Sequence, residues 1–224
     1  MRLTTMVAAT ALLFGIGIGF GIGIGTGAAL SQEKEDGAGE DPAGGEPAAG
    51  GDAKQPTGEE MAAWQAYMTP GPEHERMAKQ TGTWDVAAKM WMAGPDAPPT
   101  ESTGTATFKM ILGGRYQVQE YSGTMMEMPF NGYGVSAFDN HKKQFASVWL
   151  DTFGTGIFVS RGQRAEDGSL HTNGEMPAPG GAVYQTREVI VEKDEDTFTM
   201  EMFMKGEGMP EETRIMELTY TRRK

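Results

Sequence analysis

From Gly82 onward, apolar and polar residues alternate along the chain. Trp84, Val86, Ala88, Met90 and Met92 fall on one face of an extended run, with Asp85 and Lys89 on the other. Phe198, Met200, Met202 and Met204 oppose Thr197, Thr199 and Glu201, and Met216, Leu218 and Tyr220 oppose Glu217, Thr219 and Thr221. A period of two places one face of each strand in a dry interior. Turn chemistry separates the runs at intervals of roughly ten to fifteen residues: "AGPDAPP", "LGG", "EMPFNG", "DNHKK", "TFGTG", "AEDGS", "PAPGG", "KDED" and "KGEGMPEE". No connection is long enough for a crossover helix, so the pattern predicts an antiparallel meander of about ten strands. A sheet with a single apolar face loses both edges by closing on itself. The predicted architecture over 81–224 is therefore all-β, a closed antiparallel up-and-down barrel.

Closure adds a specific expectation. With an even number of strands the first and last run antiparallel, so Trp84 should lie beside Arg222, both inward. An arginine over the indole face would plug one end of the barrel, a cation–π contact on the order of 1 to 2 kcal/mol if desolvated. Gly82 lets the chain turn tightly into the first strand.

Before Gly82 the pattern changes. Leading into the helical entry segment 59–80, "TGEEMAAWQAYM" sets Thr57 three residues ahead of Glu60, a capping-box spacing, and brings Met61, Trp64, Tyr67 and Met68 together at helical intervals. "TPGP" then breaks the chain and "EHERMAKQ" can add one or two turns, so a short helical segment is expected to pack on or cap the barrel. Residues 31–58 hold no aromatic or branched aliphatic side chain and are rich in Gly, Pro, Ala and acid, the composition of a disordered acidic linker. Residues 1–30 carry a single charge, Arg2, ahead of an uncharged stretch that ends in Gly27, Ala28 and Ala29. That is the pattern of an export signal cleaved after Ala29, or of a retained N-terminal membrane anchor. Either reading implies an exported protein of the periplasm, cell envelope or medium. "GIGTGA" formally fits a dinucleotide-binding turn, but no strand precedes it and no βαβ unit follows.

Charge and composition then narrow the chemistry. A net charge of −12 provides no basic stripe for nucleic acid, and charge-driven binding to anionic membranes is equally disfavoured. The absence of cysteine removes disulfides, thiolate nucleophiles and Cys-based metal sites. The three histidines, His74, His141 and His171, are not spaced as ligand pairs, so no metal, haem or other cofactor is expected. "MEMFM" at 200–204 aligns three thioethers that could suit Cu(I), though methionine is more often an adaptable core filler. The chain lacks Gly-x-Ser-x-Gly, and "DTFGTG" departs from an aspartic-protease motif at Phe153, so no catalytic residue is assigned.

The Gly-x-Trp start with a terminal-strand arginine resembles the lipocalin and fatty-acid-binding superfamily. "GTW", "STGTATFKMILGGRYQVQEYSG", "MPFNGYGVSAFDNHKKQFASVWLDTFGTG" and "MELTYTRRK" together resemble the bacterial family catalogued as domain of unknown function 1579. The resemblance covers about residues 80 to 224 and implies a calycin-like barrel, with no activity attached.

Interior polar residues are the functional clue, because an unpaired buried charge is costly and calls for a partner or ligand. If Tyr116 and Val118 point inward, so does Glu120; if Val183, Val189 and Val191 do, so does Arg187. Glu120 and Arg187 are thus expected in the cavity, paired with each other or offered to a ligand head. Trp149 and Tyr133 are further wall candidates. Tyr220 shares a face with Arg222, similar to the Arg and Tyr that hold a carboxylate in fatty-acid-binding barrels but in the reverse order; Arg222 is assigned to the plug. The expected function is a non-enzymatic exported barrel holding a small apolar or amphipathic ligand. The alternative is an envelope interaction protein whose barrel is filled by side chains.

Overall fold

In the computed structural model, the residues described are 55–207, 209 and 211–224; the leader-like segment 1–30 and most of the acidic linker lie outside them. Two helices, α1 (Gly58–Met68) and α2 (Pro72–Lys79), precede ten strands. These are β1 (Gly82–Met90), β2 (Thr100–Ile111), β3 (Tyr116–Met125), β4 (Met128–Asp139), β5 (Gln144–Asp151), β6 (Phe158–Arg164), β7 (Leu170–Pro177), β8 (Val183–Glu192), β9 (Thr197–Lys205) and β10 (Thr213–Arg222). Each strand pairs with its sequence neighbours and β1 pairs with β10, which closes the barrel. Every pair is antiparallel, and the closing register sets Trp84 opposite Arg222, Val86 opposite Tyr220 and Met90 opposite Met216.

The two ends of the barrel differ. One end receives the start of β1, the end of β10 and helix α2, and its interior is filled with rings. Trp84 packs edge-on to Phe198 at 4.9 Å between centroids, and Phe198 stacks on Tyr220 at 4.2 Å. Phe108 completes this cluster. Beneath it, α2 buries Met77 and His74, and Gln117 donates from Nε2 to the carbonyl of Met77 and to Gln80 Oε1.

Helix α1 forms with its capping box: the Thr57 N–H donates to Glu60 Oε2, and the Glu60 N–H donates to Thr57 Oγ1. Its apolar residues Met61, Trp64, Tyr67 and Met68 nonetheless stay exposed. The cap over the barrel is α2, and α1 is held at its C-terminal end, where Asn140 donates from Nδ2 to the carbonyls of Ala66, Tyr67 and Thr69. These are carbonyls that a helix end cannot satisfy by itself.

The opposite end is open, and two departures from regular pairing shape it. Between Arg214 and Met216 the register on β9 shifts, a bulge that brings both Ile215 and Met216 to the cavity wall. The β3–β4 connection is shorter than the turn signal "EMPFNG" suggests. Met126 and Glu127 turn the chain with φ of 51° and 63°, and Met128 already belongs to β4.

Candidate functional site

Between the aromatic plug and the open end lies a cavity of about 540 Å³. Its walls are the inward register of the strands. Met90, Met125, Phe130, Phe158, Met176 and Met216 supply much of the apolar surface. The methionine strand of the sequence contributes Met200 and Met202 to the wall, while Met204 is buried outside it.

Trp149 forms part of this wall through an accommodation made by glycine. Gly132 and Gly134 stand opposite Asp151 and Trp149 on β5, and a Cβ on Gly132 would sit 2.1 Å from the indole. The glycine read as a turn signal is therefore the space in which the ring lies. The indole Nε1 donates to Asp151 Oδ2 at 3.0 Å, and Asp151 Oδ1 accepts the Phe153 N–H. That second bond fixes the loop whose Phe153 ring packs on Phe130 at 5.2 Å, at the mouth.

Polar groups punctuate the interior. Ser147 and Ser160 bond to each other across β5 and β6 at 2.8 Å. Gln119 Nε2 donates to the Tyr220 hydroxyl at 3.3 Å. Burial drives the Tyr220 hydroxyl far above the ordinary tyrosine range, opposed by the Gln119 bond and reinforced by Tyr121 and Glu188. Thr172 Oγ1 donates to Glu188 Oε2 at 2.6 Å.

Of the residues singled out from sequence, Tyr220 and Trp149 line the cavity. Glu120, Arg187 and Tyr133 do not. On β3 the inward residues are Gln117, Gln119 and Tyr121, since Tyr121 is opposite Ala106 and Gln119 opposite Phe108; Glu120 lies outside, bonded to Lys109 Nζ at 2.6 Å. Tyr133 is opposite Glu120 on the same outer face. On β8 the inward set includes Thr186, opposite Met204, Glu188, opposite Met202, and Ile190, opposite Met200. Arg187 is outside, bidentate to Glu212 and 4.1 Å from the Phe203 ring.

The cause is the same on both strands. Val118, Val189 and Val191 invited an inward assignment, yet these strands turn their mixed polar register to the lumen, and a one-residue slip exchanges every side chain between faces. Val118 shows how hydrophobicity misleads: it is buried on the outer register. Glu188 went unrecognised because nothing in "VYQTREVIVE" marks Thr186 and Glu188 as the inner set. The usable signal lies on the partner strand, where Met202 fixes the face of whatever stands opposite it.

At the plugged end, Arg222 lies 4.2 Å from the Trp84 ring centroid. Its guanidinium donates to the carbonyls of Lys79, Thr81 and Glu195 and pairs with Asp196 at 3.2 Å. The Trp84 indole donates to the Gln80 carbonyl at 2.8 Å. The polar atoms of Trp84 and Arg222 thus all have partners within the fold.

A serine, a histidine and an aspartate also meet in the β6–β7 turn. Ser169 Oγ donates to Asp167 Oδ1 at 2.6 Å and lies 2.8 Å from His171 Nε2. The aspartate engages the serine rather than the far side of the imidazole, so the proton order runs against nucleophile activation and the cluster serves as a turn brace.

The family profile described as "Protein of unknown function (DUF1579)" matches residues 69–222. No curated protein matches the chain. Among solved structures, the S-type phycobiliprotein lyase CPES from Guillardia theta is 11% identical with a TM-score of 0.48, over 69% of this chain and 94% of that one. Rv2717c from M. tuberculosis is 14% identical with a TM-score of 0.48, over 70% of this chain and 100% of that one.

Proposed function

The chain belongs to the DUF1579 family, and from the geometry of its barrel we propose that it is a binding protein holding a small, largely apolar molecule in the lumen. The observation that carries this reading is the cavity of about 540 Å³. Small-molecule sites run about 300 to 1,000 Å³ and combine apolar walls with a few placed polar groups. The methionines lend the wall adaptability, because an unbranched thioether repacks around different shapes at low cost. A barrel filled by its own side chains, as an envelope interaction protein would have, is disfavoured by the same open volume. No residue is assigned to catalysis: the Thr172 hydroxyl bonds to Glu188, but among the described residues no third group orients that carboxylate as a base. The leader-like composition of residues 1–30 supports an exported location.

Native mass spectrometry of the full chain purified from its own host is the test. A retained molecule, released by unfolding and lost on filling the lumen with Met216→Trp, is expected. A mass equal to the polypeptide alone, together with no fluorescence gain by the neutral lumen probe N-phenyl-1-naphthylamine, would overturn the proposal. Intact-mass measurement of the same sample reports whether residues 1–29 have been removed, as export with cleavage requires.

A further inference from the structure

Resting on the reading of the lumen as a binding site, the geometry points to the kind of head group it takes: a hydrogen-bond-donating nitrogen, cationic at neutral pH, received by Glu188. Four ionisable side chains of fixed sign line the cavity: Arg164, Asp151, Glu188 and Glu192. Arg164, the sole cation of the set, is already committed. It pairs with Glu73 at 3.2 Å and Glu192 at 3.6 Å and donates to the Gly168 carbonyl at 2.6 Å. Arg222 at the plug is committed likewise to three carbonyls and Asp196. A carboxylate or phosphate entering the lumen therefore meets no available cation among the described residues.

The acids are not equivalent. Glu192 is neutralised by Arg164, and both oxygens of Asp151 accept from Trp149 and Phe153. Glu188 receives one hydrogen bond, from the Thr172 hydroxyl, and among the described residues no basic side chain pairs with it. Glu188 is half-buried with one neutral donor, so its carboxylate keeps acceptor capacity that a cationic or N–H donor can fill. Its surroundings suit such a guest. Met202 stands beside it on β9 and Met216 follows across β10. The stacked Phe198 and Tyr220 rings form the cavity floor, where aromatic faces favour positive charge. The preference is also exclusionary, since the same carboxylate repels an anionic head.

Three ligands of one chain length separate the possibilities: dodecylamine, dodecanol and dodecanoate, each below its micelle concentration. They compete with N-phenyl-1-naphthylamine for the full chain at neutral pH in physiological salt. Dodecylamine is expected to bind at least tenfold more tightly than dodecanoate, with dodecanol between. Glu188→Gln should bring the amine and carboxylate within about threefold of each other. Glu120→Gln removes the same charge from the outer surface and should leave the preference intact, which separates a local carboxylate from the general attraction of an acidic protein. Near-equal binding of all three, or an amine preference that survives Glu188→Gln, overturns the head-group inference and leaves lumen binding standing. Failure of the neutral probe and of all three ligands to bind overturns both.

Discussion

The plugged and open ends of one barrel show two ways of treating polar groups in a dry interior. At the plug, Trp84, Gln80, Gln117 and Arg222 are bonded to backbone and side chains of the same chain. Aromatic rings fill what remains. In the lumen, hydroxyls and carboxylates line an open volume, and Glu188 has one donor in place of several. The first arrangement stabilises the fold; the second, in the proposed reading, is where a guest is received. Substitutions at the plug should therefore move stability first, and substitutions in the lumen should move occupancy.

The largest effect is expected from Trp84→Ala, which empties a fully buried ring site. A loss of about 3–5 kcal/mol by urea denaturation is typical of such truncations, and a loss under about 1 kcal/mol would mean that the plug is not the stability centre. Gly132→Ala should follow at about 1–3 kcal/mol, since the added methyl must displace the Trp149 indole or the strand. Here the sharper measurement is fluorescence: a Trp149 emission shift links the loss to the wall, and an unchanged spectrum would place the strain elsewhere.

Arg222→Lys keeps the charge but cannot reach three carbonyls in a planar fork. A loss of about 1–2 kcal/mol, with probe binding unchanged, is expected. A collapse of probe binding without destabilisation would instead transfer Arg222 to the lumen. His74 gives a pH-dependent difference. Burial lowers its pKa from the ordinary 6.5, with the Arg115 charge acting the same way, and its Nδ1 already accepts the Gly71 N–H. The unfolded chain therefore takes up a proton that the native cap resists. The contribution is present above 6.5 and is lost as pH falls through the depressed native value. Between pH 7 and pH 5 the wild type should lose more Tm than His74→Gln; parallel losses would remove His74 from the account. The smallest effect is expected at Arg187→Met. Its ion pair with Glu212 is partly exposed, so the change should stay below about 1 kcal/mol, with probe affinity unaltered.

The same contrast governs what could be read from sequence. The ten strands, their closure and the meeting of Trp84 with Arg222 were legible, because clean alternation on β1, β9 and β10 fixes register and an even strand count fixes which ends meet. The lumen was not. On β3 and β8 both registers carry apolar and polar residues, so Glu120 and Arg187 were exchanged for their neighbours Gln119 and Glu188. Gly132 reads as a turn residue in the sequence because the ring needing its space is on another strand. Fold follows from the repeating face; the cavity follows from the positions where repetition fails.

The β1–β10 seam has a consequence for biogenesis. Its two sides lie at opposite limits of the domain, so the ribosome must release the final strand before the cylinder can shut. A chain lacking β10 would present two raw sheet margins and an uncovered oily groove, the profile of a polypeptide headed for aggregation or proteolysis. Closure is checked by geometry, in the tenth strand of the barrel.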